Sequence, residues 1–249
     1  MLEKDYGIPK IHRLRIIHLY EADLNLLLGI YFARTLVSHI EEHNGFNIGC
    51  YGNRPGLSAH EPVLVEELQT SISYLSRTNQ IGTDFDATAC YNRIPPNLAN
   101  LTSRSNGMTD KVCIVHGATL DNMSYSLLTA LGLSDQAYSN EPTSRVYGTG
   151  QGSTYSPPGW GQIVSKLFDA HGKRANGATF QSPDGQHRLF LHMLGFVDDT
   201  KNHVNDMMDP QASLVDTLVA RMSEDSQLWS DLLHTAGGAL EYPKLYTVM

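Results

Sequence analysis

Residues 188–204 read Arg188-Leu-Phe-Leu-His-Met-Leu-Gly-Phe-Val-Asp-Asp-Thr-Lys-Asn-His-Val204. An apolar run reaches Val197, two carboxylates follow, and a second β-prone segment starts at Thr200. This order predicts a strand over 188–197, a tight turn, and an antiparallel return over 200–204, with Asp198 and Asp199 at the tip. Asp is common in solvated turns, so the pair alone identifies nothing. Acids at the end of an apolar strand do, however, offer the hard oxygen ligands that a Mg²⁺ ion takes, one or two carboxylates at a time.

A second acidic segment is Thr83-Asp-Phe-Asp-Ala-Thr-Ala-Cys-Tyr91, at the end of a strand predicted over Gln80 to Asp86. Carboxylates from two separate strand ends suit two-metal phosphoryl transfer. An Asp here could equally cap a following helix. Asp84 precedes Asp86 by two residues and shares its side of a strand. A third segment, Tyr147-Gly-Thr-Gly-Gln-Gly-Ser-Thr-Tyr-Ser-Pro-Pro158, is rich in glycine. Its glycines are two apart, which is wrong for a dinucleotide fingerprint, and no Lys-Ser or Lys-Thr follows as in a P-loop. A polar, flexible loop of this kind suits a template strand or an incoming base.

Around these segments, Leu24, Leu27, Leu28 and Tyr31 predict a helix over 21–43, ended by Asn44-Gly45. Leu64, Leu68, Ile72 and Leu75 mark a second helix starting near Pro62. Further helices are predicted over 158–171 and 211–235, the latter ended by Gly237-Gly238, and a last strand over 245–249. Strands separated by helices, with one hairpin, give an α+β class. Of 249 residues, 41% are hydrophobic and 18% charged, which excludes a disordered chain. Three cysteines without a CxxC spacing argue against a disulfide framework or a structural zinc. No HExxH motif occurs, Asn100-Leu-Thr102 reads as a chance sequon, and Trp160 and Trp229 read as core residues. No signal peptide or membrane span is visible, so an intracellular, cytoplasmic or nuclear location is expected.

The net charge of −8 is unexpected for a nucleic-acid protein. Its distribution is uneven. Residues 1–20 hold four Lys or Arg against two acids, and residues 195–225 hold seven acids against two cations. An acidic centre with a basic arm suits metal ions in one place and phosphates in another.

Together these segments resemble the polymerase domain of reverse transcriptases, the retrotransposon type most closely. Asp86-Ala-Thr-Ala-Cys-Tyr91 matches the first palm motif, an Asp followed five positions later by an aromatic. Gln151-Gly-Ser-x-x-Ser-Pro157 matches the second and Phe196-Val-Asp-Asp199 the third. Gly237-Gly-Ala-Leu-Glu-Tyr-Pro-Lys244 looks like the fourth. Pro9-Lys10 and Leu14-Arg15-Ile16 look like basic fingers strands, and Tyr51-Gly-Asn-Arg-Pro-Gly56 like the loop after them.

The resemblance implies a right-hand polymerase palm with fingers. Residues 1–80 would form the fingers and fingers–palm helices, and residues 81–249 the palm. On this reading the thumb and the other retroelement domains would be missing from the 249 residues. It implies an RNA-directed DNA polymerase that adds deoxynucleotides to a primer on an RNA or DNA template. Asp86 and Asp198 would hold two Mg²⁺ ions with Asp199 beside them, and Lys244 would act near the leaving pyrophosphate. Lys10, Arg15, Tyr91, Gln151 and Gly152 would bind the nucleotide. The alternative is a truncated, non-catalytic remnant that binds metal or nucleic acid weakly. An RNA-synthesising relative shares the palm, but Tyr91 would clash with a ribose 2′-hydroxyl.

Overall fold

In the computed structural model the described residues are 2–3, 14–15, 17–129, 131–141, 148–208 and 215–248, the first two pairs by backbone alone. Lys10 lies outside them, and Arg15 is placed only as part of a short strand. In chain order the elements are β1 (Leu2–Glu3), β2 (Leu14–Arg15), α1 (Ala22–Leu28), a π-helical stretch (Gly29–Leu36) and α2 (Val37–Glu42). There follow α3 (His60–Ser76), β3 (Gln80–Asp86), α4 (Cys90–Arg93), α5 (Pro96–Ser105), α6 (Asp110–Asn122), β4 (Ser124–Thr129) and β5 (Gly132–Ser139). The remainder comprises α7 (Ser156–Gly172), β6 (Ala178–Gln181), β7 (Arg188–Leu191), β8 (Met193–Phe196), β9 (Asp199–Asn205), α8 (Val215–Thr235), a 3-10 turn (Tyr242–Lys244) and β10 (Tyr246–Val248). The α+β class expected from the sequence is the one observed.

The chain divides into two compact units that interleave in sequence. One comprises residues 1–39 and 91–159, the other residues 40–90 and 160–249. The second unit is built on a four-stranded antiparallel sheet in the order β10-β3-β9-β8. Alternation along β3 sends Ile81, Thr83 and Phe85 to one face and Asp84 and Asp86 to the other. The first face is the core side. Ile81 and Val204 pack there against Leu218 and Met222 of α8, all almost fully buried. Phe168 of α7 meets Trp229 of α8 edge to face, ring centres 5.4 Å apart. Trp160 and Trp229 are both buried.

In the first unit, Phe32 packs against His116 and Tyr155. Asn100 is buried and its Oδ1 lies 2.8 Å from His116 Nδ1, so it is a core residue and not a surface acceptor for glycan. β4 and β5, residues 124–139, form a hairpin of their own where no periodic pattern announced one. The three cysteines are buried and form no disulfide. No helix among the described residues is long and apolar enough to cross a membrane.

Two expectations are corrected. The strand expected over 188–197 is two strands in different sheets, since β7 pairs with β6 while β8 pairs with β9. The break falls at His192, whose buried ring packs on His171 with their Nδ1 atoms 3.2 Å apart. Turning that side chain into the core takes it out of the ladder. The apolar stripe of α3 also faces the other way: Leu64, Leu68, Ile72 and Leu75 are exposed, whereas Gln69 and Ser73 are buried. Here polar tertiary partners outweigh the helix pattern. Gln69 Oε1 lies 2.8 Å from His203 Nδ1, and Ser73 Oγ donates to Gln80 Oε1 at 2.7 Å.

Burial lowers His116, His192 and His203 to about 4, with His171 adding to the effect at His192 and Lys201 at His203. These residues are neutral in the fold and take up protons preferentially when unfolded, where a histidine titrates near 6.5. Stability is therefore fully kept above pH 6.5 and lost as the pH falls from 6.5 towards 4. The expected slope is about 1.4 kcal/mol per pH unit for each histidine. Thermal melts from pH 7.5 to 4 should show Tm flat and then falling. A flat profile down to pH 4.5 would contradict the burial of these rings.

Candidate active site

The acidic face of the sheet is organised by strand register. Asp86 stands directly across from Asp199, and Asp84 across from Lys201. Phe196 pairs with Asp199, Leu194 with Lys201, and Tyr246 with Asp84. Directly opposed residues project to the same side with Cβ atoms about 5 Å apart. The register thus places two carboxylates that lie 113 positions apart in sequence on one rung. A cleft of about 560 Å³ opens over them, walled by Pro62, Val63 and Glu66 of α3 on one side and by Lys244 and Tyr246 on the other.

The β8–β9 turn has only two residues, Val197 and Asp198. Val197 has φ of 61°, a left-handed conformation unusual for a β-branched residue and worth about 1–3 kcal/mol of strain. The surroundings enforce it. Trp160 Nε1 donates to Val197 O at 2.6 Å, and the Ala87 N–H donates to Asp198 O at 3.3 Å. The loop Tyr51-Gly-Asn-Arg-Pro-Gly56 holds the same hairpin from its outer edge. Tyr51 N donates to Gly195 O and Gly195 N to Gly49 O, at 2.9 and 2.8 Å. Arg54 anchors this loop through a two-toothed ion pair with Glu41 and a hydrogen bond to Cys50 O. Gly52 lies so near the tip that a Cβ there would sit 2.3 Å from Val197 N.

Burial pushes the Asp199 carboxyl above the usual carboxylate range. The charges of Asp198 and Asp86 add to this, and Lys244 opposes it. Asp86 accepts a hydrogen bond from the Lys244 ammonium. That hydrogen bond raises the lysine pKa, as do the nearby Asp86, Glu241 and Asp199 charges. Lys244 is brought there by a stitched segment. Ala87 bridges Leu240, Glu241 N donates to Asp86 O, and Thr88 Oγ1 donates to Glu241 Oε2. Deeper in the cleft, Lys201 pairs with Glu66 and lies 3.4 Å from Asp84 Oδ1. Burial opposes the Lys201 charge, but Glu66 and Asp84 outweigh it and its pKa rises. Burial raises Asp84, with Lys201 working against it.

Of the residues expected from the sequence, Asp86, Asp199 and Lys244 come together in this cleft, and Asp198 sits on the hairpin tip beside Asp199. Tyr91, Gln151 and Gly152 all belong to the other unit. There Thr149 N donates to Tyr91 O at 2.8 Å, His18 N donates to Gln151 O at 2.7 Å, and Gly152 takes φ of 113°. Sequence reasoning missed Lys201, Glu66 and Tyr246. Lys201 was within reach, since alternation puts it on the same face as Asp199. Glu66 carried no signal, because the apolar stripe of α3 turned the helix the wrong way.

Among the described residues no cluster of three or more His, Cys, Asp or Glu side chains is arranged to hold a metal ion. The donor chemistry of the Asp86–Asp199 pair nevertheless fits Mg²⁺, which takes one or two carboxylates and completes its shell with water and substrate oxygens.

No protein-family model matches the chain, and no curated protein matches it. Solved structures do match. Apo telomerase from Candida tropicalis, truncated from its C-terminal domain, aligns over 90% of this chain with TM-score 0.55 and 15% identity. Telomerase from the same organism, in complex with a TWJ fragment of telomeric RNA, aligns over 88% with TM-score 0.57 and 14% identity. The corresponding complex from Candida albicans gives 88%, 0.56 and 11%. This chain spans 40%, 33% and 35% of those proteins. At such identities the likeness is one of fold, and the fold is reverse-transcriptase-like.

Replacing Gly52 with Ala should cost about 1–3 kcal/mol, because the new methyl meets backbone that cannot rotate away. Denaturant unfolding of Gly52→Ala measures it. A loss below a few tenths of a kcal/mol would show that the tip is not held by this loop.

Proposed function

We propose that the chain is the palm-and-fingers part of an RNA-directed DNA polymerase of a retrotransposon-like element, joining a deoxynucleotide to a primer 3′-end. The observation that carries this is the pairing of Asp86 with Asp199 on one rung, with Lys244 against Asp86, in a fold shared with telomerases. Residues 81–249 would be palm and residues 1–80 fingers and fingers–palm helices. Template, primer and deoxynucleotide would be the partners.

The sequence points to Asp86 and Asp198 with Asp199 beside them; the strand register favours Asp86 and Asp199, with Asp198 beside them, as the residues that would hold Mg²⁺, two ions by the resemblance. Bound there, the metal supplies charge neutralisation at the reacting phosphate. The primer hydroxyl attacks the α-phosphorus, the α–β bridging P–O bond breaks, and pyrophosphate leaves. The protein's share is positioning and preorganised charge. Phe196 and Tyr246 line the same cleft beside the carboxylates. Lys244 would sit beside the departing pyrophosphate and can donate a proton to it from its ammonium. Lys10 and Arg15 would contact the triphosphate. Tyr91 would lie under the incoming sugar, and Gln151 and Gly152 would line the nucleotide pocket.

Asp86→Asn and Asp199→Asn keep side-chain size but each remove one charge. Each should lower Mg²⁺-dependent primer extension on an RNA template by at least 100-fold while leaving the melting curve intact, a loss of about 2.7 kcal/mol in transition-state binding. Retention of most of the rate by both variants would rule out the site.

Tyr91→Ala should admit ribonucleotides while Tyr91→Phe stays selective, because exclusion of a 2′-hydroxyl depends on ring bulk. Single-nucleotide incorporation of dNTP against rNTP reads this. An unchanged ratio in a folded Tyr91→Ala protein removes the sugar gate.

A further inference from the structure

The cleft contains a second acidic pair that the polymerase reading leaves unused. Asp84 lies on the same face of β3 as Asp86, two residues back, or about 7 Å along the strand. Glu66 reaches in from α3. Between them stands the Lys201 ammonium, paired with Glu66 and 3.4 Å from Asp84 Oδ1. The lysine side chain is only 18% exposed, against 35% for Asp84 and 37% for Glu66. Its stem runs along the sheet, where the Lys201 Cε atom lies 3.3 Å from the position a Cβ on Gly82 would take.

Two carboxylates from different elements facing one point are the donor set a hard divalent cation uses. A lysine ammonium is a compact point charge that can occupy the same point. We propose that Lys201 is a positioning residue whose ammonium fills a cation site formed by Asp84 and Glu66, and so confines divalent metal to the neighbouring Asp86–Asp199 rung. The confinement rests on the function proposed above; the occupancy of the Asp84–Glu66 site by Lys201 does not. Without the lysine, Asp84 and Glu66 would face each other without a countercharge, and a metal ion could settle too deep in the cleft.

Counting bound Mn²⁺ by electron paramagnetic resonance on the purified chain tests this without any need for catalysis. Lys201→Gln keeps a polar side chain of similar reach but removes the charge. It should bind one more Mn²⁺ per chain than the unmodified protein, and Lys201→Arg should not. The extra ion should vanish in the double variant Asp84→Asn with Lys201→Gln. Lys201→Met, which matches the buried stem, gives the same comparison if the Gln variant does not fold. An unchanged count in a folded Lys201→Gln or Lys201→Met protein overturns the proposal, as does an extra ion that survives Asp84→Asn. Asp86→Asn and Asp199→Asn on the Lys201 background report separately on the polymerase site. If they leave the Mn²⁺ count unaltered, that reading fails while the Lys201 comparison still decides its own claim.

Discussion

The antiparallel register of β3 against β9 is the constraint on which the rest of this unit depends. Seven paired residues, from Gln80↔Asn205 to Asp86↔Asp199, fix which side chains share a face. A slip of one residue would send Asp199 and Lys201 to the core and bring Thr200 and Asn202 out. The buried side prevents that slip. Ile81 and Val204 are locked under α8, and Thr83 Oγ1 meets Thr247 Oγ1 at 2.9 Å on the same side. Apolar burial behind the sheet thus determines where charge collects in front of it.

That charge arrangement is costly, and the structure shows where the cost is met. Four carboxylates line the cleft, and two lysines are set among them: Lys244 at Asp86 and Lys201 between Asp84 and Glu66. The hairpin that carries Asp198 and Asp199 adds backbone strain at Val197. It is held from three directions, by the Trp160 indole, by Ala87, and by the close passage of Gly52. Strain that is over-determined by its surroundings in this way is typical of functional sites. A tip fixed so firmly suits chemistry that depends on position.

Much of this was legible from residue pattern. The strand over Gln80–Asp86 and the acids beside the hairpin turn follow from periodicity and turn chemistry. The helical stretch over 21–43 was legible in extent only: its middle, Gly29–Leu36, is π-helical, and Leu27 and Tyr31 of the expected apolar stripe are exposed while Leu28, Phe32 and Leu36 are buried. Legibility failed where tertiary partners overrode local pattern. His192 interrupts an apolar run because its ring belongs with His171 in the core. The helix α3 hides Gln69 and Ser73 and shows its leucines, since His203 and Gln80 provide buried polar partners. That inversion concealed Glu66, and with it the countercharge role of Lys201. The hairpin of β4 and β5 was illegible for a different reason: nearly all of its residues are exposed, so no burial alternation marks it. The hairpin tip also separates the two adjacent acids more sharply than the motif suggests. Asp199 belongs to the strand and faces Asp86, whereas Asp198 belongs to the turn.

The most direct test of the central claim is the anomalous difference map of a crystal soaked in Mn²⁺. The account predicts density bridged by the carboxylates of Asp86 and Asp199 and none between Asp84 and Glu66, where Lys201 stands. Density at Asp84 and Glu66 with none at Asp86 and Asp199, or no bound metal in the cleft at saturating Mn²⁺, would contradict it.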